Sequence, residues 1–219
     1  MSKTQCPATR EIPLDPRKSA LLFIDVQNFC VHRDGGEFKN VSDTELAAKY
    51  GYYFDRLSTI AVPNMQRLQA AFRRTGIEVL YTTIENLTKD GRDRGLNYKI
   101  LGFHVPKGAW DGKVIDQIAP GDDEIILPKT SSSAFVSTQI DYLLRNLGVR
   151  QLVLAGVVID ECVESAARDA CDRGYLVTLV PDACATYSQQ RHENSLRVSA
   201  TYSRLVSTEA LIKEIGGAF

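Results

Sequence analysis

Three side chains of complementary chemistry stand where apolar runs end: Asp25 after "SALLFI", Lys129 closing "EIILPK", and Cys162 after "QLVLAGVVI" and the acidic pair Asp160-Glu161. A thiol is a nucleophile, a carboxylate can take its proton and return it, and an ammonium can hold that carboxylate or stabilise a thiolate. Together they would make an acid/base-assisted nucleophile without histidine. Cys162 also precedes a helix-like segment, whose first-turn N–H groups and positive dipole end would favour thiolate. Singly, each residue has an ordinary explanation: a buried cysteine as a small hydrophobe, Asp25 as a cap, Lys129 as a surface lysine. Their shared position is what points to chemistry, because an unpaired Asp or Lys at the edge of a dry core is costly.

The elements that would position them follow from patterning. Near-continuous apolar runs at "SALLFIDVQ", "IEVLYTTI", "EIILPK", "QLVLAGVVI" and "YLVTLV", with a weaker one at "RLVS", read as strands buried on both faces. Between them lie helical patterns. In "STQIDYLLRNLG" the residues Ile140, Leu143, Leu144 and Leu147 fall at i, i+3, i+4 and i+7 before Gly148; Met65, Leu68 and Phe72 share a face before Gly76, and Val163, Ala166, Ala167 and Ala170 share one before Gly174. Alternating strands and helices predict a Rossmann-like, three-layer α/β/α fold on about six mostly parallel strands. Ligand sites in such sheets lie beyond the strand C-termini, where strand order reverses. All three candidate residues are predicted there. The stretch from Glu85 to Lys113 is long, polar and glycine-punctuated, and is placed to cover the pocket.

Composition narrows the function. The 219 residues fit one domain over 1–219 with an N-terminal extension at 1–17, and no linker or repeat divides them. With 26 Lys+Arg against 27 Asp+Glu, nucleic acid and anionic membrane have no electrostatic reason to bind. The longest apolar run, Leu152 to Ile159, is far below the roughly 20 residues of a membrane span, and the first residues lack a signal-peptide core, so a cytoplasmic protein is expected. Cysteines at 6, 30, 162, 171 and 184 form no CxxC pair and are expected to be reduced.

Other chemistries fail on the residues. There is no GxxxxGK[ST], GxGxxG or GxSxG, and the serines of "TSSSAF" have no evident histidine partner. His32, His104 and His192 form no HxH or HExxH pair, which disfavours a histidine-rich metal site; His192 reads as a helix-surface or core residue.

"SALLFIDVQNFC", "LPKTSSSAF" and "LVLAGVVIDECVESAARDACDRGYLVTLVPDACAT", in this order and spacing, resemble the isochorismatase-like cysteine hydrolases, the family that includes nicotinamidases, N-carbamoylsarcosine amidase, and the biuret and ureidoacrylate amidohydrolases. The likeness covers most of the chain. It implies a catalytic triad of Asp25, Lys129 and Cys162, with Cys162 attacking a carboxamide carbonyl and Asp25 moving the protons. It also implies a cis peptide between Val157 and Val158 and an oxyanion hole from the N–H groups of Val158 and Cys162. Isochorismatases proper lack the cysteine, so Cys162 points to carbon–nitrogen hydrolysis. Nicotinamidases carry an Asp/His metal cluster after the first helix, and "EVLYTTIENLTKDGRDR" offers no histidine for one.

The expectation is thus a cysteine amidohydrolase with no cofactor and no metal, cytoplasmic and homo-oligomeric, acting on a small amide or ureido compound through a thioester with release of ammonia. Two alternatives stand beside it: hydrolysis of another bond by water, and a member of the fold that binds a small molecule without turnover. Glu85, Asn86, Trp110 and Phe135 are the candidate pocket residues; with Arg92 and Arg94 nearby, a ureido or carboxylate-bearing amide would suit them. Asp160 is expected to cap the helix after the nucleophile. Glu161 has no evident role, and a carboxylate beside Cys162 would tend to raise the thiol pKa.

Overall fold

A computed structural model describes residues 9–217. Cys6 and the first eight residues of the segment expected to be an extension lie outside them. In chain order the elements are β1 (Ser19–Ile24), α1 (Asn28–Val31), α2 (Asp43–Arg56), α3 (Val62–Arg74), β2 (Glu78–Ile84), α4 (Leu96–Leu101), β3 (Ile125–Lys129), α5 (Ala134–Ser137), α6 (Ile140–Asn146), β4 (Gln151–Val157), α7 (Glu164–Asp172), β5 (Leu176–Ala185), α8 (Gln189–Ser199), β6 (Ser203–Leu205) and α9 (Thr208–Gly216).

The six strands form one sheet in the order β3-β2-β1-β4-β5-β6, and every neighbouring pair is parallel. The fold is therefore the expected three-layer α/β/α arrangement, with strand order reversing between β1 and β4. Period-2 alternation on β1 divides the core. Leu21 and Phe23 face Met65, Leu68 and Phe72 of α3, whereas Ala20, Leu22 and Ile24 face Leu144 of α6 and Ala166, Ala167 and Ala170 of α7. The alanine face of α7 lets that helix lie close to the sheet.

Three features depart from the patterns read in the chain. The helix of Met65, Leu68 and Phe72 does not start afresh: α2 runs into α3 through a π-helical turn, Leu57–Ala61. β5 continues past Val180 to Ala185, and its pairing with β4 jumps from Leu154↔Leu179 to Gly156↔Cys184. Pro181, which has no N–H to give a ladder, sits in that bulge, and Arg56 fills the gap by donating to the carbonyls of Pro181 and Cys184 at 3.0 and 2.9 Å. Finally, Leu14 is buried in the core and its N–H donates to Glu214 Oε1 at 2.8 Å, so the chain just before β1 is packed down rather than loose. Among the described residues no helix is long and apolar enough to cross a membrane.

Candidate active site

β1 ends one residue before Asp25, which takes a left-handed φ of 56°. Few side chains adopt that backbone without a reason, and its cost is on the order of 1–3 kcal/mol. The turn is held on all sides: the Asp25 N–H donates to Thr82 O at 3.0 Å, and its carbonyl accepts from Gln27 N–H and the Cys30 thiol, each at 2.9 Å. The carboxylate is thereby aimed into the crevice above β1 and β4, where Thr82 Oγ1 donates to Oδ1 at 3.0 Å. Lys129 ends β3, and its Nζ lies 2.8 Å from Asp25 Oδ2, with both side chains buried. The same ammonium is 2.6 Å from Tyr98 Oη, 2.8 Å from Ser131 O and 3.5 Å from Cys162 Sγ.

Cys162 arrives from the other side of the switch point. β4 ends at Val157, the Val157–Val158 peptide is cis, and a π-helical turn, Ile159–Val163, carries the cysteine into α7. The thiol is 6% exposed and lies 3.6 Å from Tyr98 Oη. Gly156 makes the close strand approach possible: at φ 130°, a Cβ there would stand 2.2 Å from Ile24 O. Asp25, Lys129 and Cys162, remote in sequence, are thus in mutual contact.

Burial sets the protonation states. It pushes the Cys162 thiol up to about 12, Lys129 offsetting part of that rise and Asp25 adding to it. Burial thus favours the neutral thiol and works against the thiolate expected from a helix N-terminus. Burial also raises the Asp25 carboxyl above the ordinary carboxylate value, against the pull of Lys129. For Lys129 burial acts downward, yet Asp25 and Cys162 beside it hold the ammonium above the usual lysine value. A carboxyl with raised proton affinity next to an un-ionised thiol is suited to exchange a proton with it during attack.

The pocket in front of Cys162 is walled by Ile84, Phe103, Val158, Glu37, Glu161 and Tyr187, and its free volume is about 10 Å³, room for about one water. None of the four residues expected to line it does so. Glu85 faces a separate surface depression with Val114 and Pro128. Asn86 is buried under the loop, its Nδ2 3.1 Å from His104 Nδ1. Trp110 is 46% exposed, stacks edge-on against His32, and borders a surface groove with Phe54 and Pro63. Phe135 packs on Tyr175 in the α6/α7 layer. The loop arginines are spent locally as well: Arg92 pairs with Asp90, and Arg94 donates to Gly91 O and Phe103 O.

The 85–113 segment does cover the site, through Tyr98 of α4 and Phe103. Tyr98 was missed because only the tertiary fold points its hydroxyl at Lys129. Glu37 and Tyr187 were missed likewise; they come from segments 150 residues apart and meet with Tyr187 Oη donating to Glu37 Oε1 at 2.5 Å. Glu161 lines the pocket mouth, and Arg191 Nη2 donates to its Oε1 at 2.8 Å. That guanidinium balances the charge that would otherwise oppose a thiolate. Asp160 does not cap the helix, since the N-cap position is Val158 with no side-chain cap; it accepts from Thr186 Oγ1 and from Arg191 Nε. His192 is a core residue, 3.0 Å from Arg56 Nη2, with burial lowering it to about 4. The four described cysteines are unpaired, and among the described residues no group of three or more His, Cys, Asp or Glu is placed to hold a metal ion.

Comparison with known proteins identifies relatives of the chain. Over 194 residues, 81% of this chain and 74% of the relative, the sequence is 29% identical to the ureidoacrylate amidohydrolase of Rhizobium rhizogenes. The enzyme of the same name from Agrobacterium fabrum is 29% identical over 197 residues, 81% of this chain and 80% of the relative. The crystal structure of N-carbamoylsarcosine amidase from Thermoplasma acidophilum superposes with a TM-score of 0.66 at 27% identity, covering 88% of this chain and 97% of that one. A cysteine hydrolase from Pseudomonas syringae pv. phaseolicola, at 24% identity, shares the fold over the whole of both chains with a TM-score of 0.77. The Isochorismatase domain model matches residues 19–210, and the chain belongs to that family.

Proposed function

We propose that the protein is a cysteine-dependent amidohydrolase that cleaves the C–N bond of a small amide or ureido compound and releases ammonia. The observation that carries this reading is the contact of Lys129 Nζ with both Asp25 Oδ2 at 2.8 Å and Cys162 Sγ at 3.5 Å in a buried crevice. A fully buried ion pair of this kind gains little stability over an apolar core, so its retention beside a thiol favours chemistry. The relatives named as amidohydrolases support the same bond class.

In the proposed cycle Cys162 Sγ attacks the carbonyl carbon as its proton passes to Asp25. The N–H groups of Val158 and Cys162 receive the negative charge that develops on the carbonyl oxygen. The tetrahedral adduct collapses, the C–N bond breaks, and Asp25 returns the proton to the departing nitrogen, giving ammonia and a thioester. Water then attacks the thioester carbon, losing a proton to Asp25; the C–S bond breaks and the thiol is reprotonated. Lys129 stays charged throughout, holding Asp25 and stabilising sulfur as it gains charge. Tyr98 gives Lys129 a neutral oxygen partner, and burial pushes its phenol well up, keeping it un-ionised.

The test is ammonia release across simple carboxamides, ureido compounds and biuret-like compounds, with Cys162→Ala, Asp25→Asn and Lys129→Ala alongside. Turnover by the unaltered protein and a loss of about 10³-fold or more in each variant is expected. Full turnover by Cys162→Ala would replace the thioester with a water mechanism. Exhaustive chelation is expected to leave the rate unchanged.

A further inference from the structure

Glu37 is not explained by the chemistry above. It lines the pocket in front of Cys162, and Tyr187 Oη, a neutral hydroxyl, donates to its Oε1 at 2.5 Å. The other carboxylates of the pocket have cations: Asp25 has Lys129, and Glu161 has Arg191. Glu37 has none; the groups that act on it are Tyr187, Glu161 and Asp25. Among the described residues lining the pocket, none is Lys, Arg or His. Holding a half-buried carboxylate beside two further carboxylates, with only a phenol for company, is costly unless it takes a proton or a ligand brings the missing positive charge.

Resting on the amidohydrolase reading of the same site, we infer that Glu37, oriented by Tyr187, selects substrates whose end remote from the scissile amide carries a protonated amine or amidine. In its ionised form Glu37 also rejects a remote carboxylate, which would meet its negative charge and find no cation among the pocket-lining residues. This also revises the substrate expected from the loop arginines, which reach the Asp90 side chain and backbone carbonyls instead of the pocket.

Two amides of nearly equal size separate the possibilities: β-alaninamide, ending in ammonium, and succinamate, ending in carboxylate. Their binding is measured by calorimetry above pH 7, where Glu37 is ionised, on the Cys162→Ser protein, which forms no thioester, and on the same protein carrying Glu37→Gln. β-Alaninamide is expected to bind at least about 10-fold more tightly than succinamate, and Glu37→Gln to bring the two within about 3-fold. Equal or tighter binding of succinamate, an unchanged ratio in the Glu37→Gln protein, or no measurable binding of either amide would overturn the inference. Ammonia release by the unaltered protein is read separately. Preferential binding of the ammonium compound without turnover would leave the charge selection standing and remove the amidohydrolase reading; turnover of both amides at equal efficiency would do the reverse. Circular dichroism of the Glu37→Gln protein guards against misfolding, and Glu37→Asp, which keeps the charge, is expected to retain the preference.

Discussion

At the scale of single residues, the candidate site is governed by desolvation more than by charge. The thiol, the carboxyl and Glu37 all hold their protons more tightly than in water because burial penalises the ionised forms. For Glu37 the consequence is measurable in stability. Burial raises it from 4.5 to about 7, Tyr187 countering part of the rise and Glu161 and Asp25 adding to it. A folded-state pKa above the unfolded one means that the folded state binds the proton more tightly. The stability from this group is full below about pH 4.5 and is lost as pH climbs to about 7. Urea unfolding of the wild type and Glu37→Gln should therefore diverge across that window, the variant gaining relative to wild type as pH rises. Cys30 and Tyr53, the other titratable neighbours of Glu37, are pushed well up by burial and stay neutral throughout. Tyr98 makes a second test. Tyr98→Phe removes the oxygen 2.6 Å from Lys129 Nζ, and hydrogen bonds to charged groups are worth about 1.5–3 kcal/mol. A fall in kcat of roughly 10- to 100-fold with an unchanged fold is the expected result, read from steady-state kinetics and circular dichroism.

At the scale of elements, what was legible follows from which contacts are local. β1, β2 and β4 were readable because a strand buried on both faces must be apolar throughout; β3, an edge strand with Ile126 47% exposed, was readable from its short apolar run alone. Asp25, Lys129 and Cys162 were findable because polarity at the end of such a run is conspicuous. α2 was overlooked although Ser42 accepts from the Glu45 N–H, a cap-and-acid pattern visible in "SDTE". The aromatic pocket candidates failed for a different reason. Side-chain type gives no direction, so Phe135 and Trp110 were as compatible with packing as with a pocket, whereas Tyr98, Phe103 and Tyr187 owe their places to contacts that close only in the folded chain. Gly156 carries the sharpest prediction at this scale. Its φ of 130° and the 2.2 Å approach of a Cβ to Ile24 O leave no room for even a methyl group, because the obstacle is backbone of the neighbouring strand. Gly156→Ala should destabilise the protein by about 3 kcal/mol or more, read as a lowered urea midpoint.

At the scale of the molecule, the reversal of strand order between β1 and β4 opens a crevice at their C-terminal ends, and the long segment after β2 closes it. The sheet accordingly supplies the reactive groups, and the cover supplies Tyr98 and Phe103. The roughly 10 Å³ left in front of Cys162 is too little for any amide. Phe103 of the cover forms part of the pocket wall, so an outward movement of the cover is the expected way for a reagent or substrate to reach sulfur. Cys162 should accordingly be alkylated slowly by iodoacetamide and more slowly still by a bulky maleimide, as followed by mass spectrometry. Phe103→Ala should speed both and narrow the gap between them. The wall that makes the site dry enough for a thiol to be tuned by one carboxylate and one ammonium is, in kinetic terms, a sieve, and Phe103 is the part of its mesh that the loop supplies.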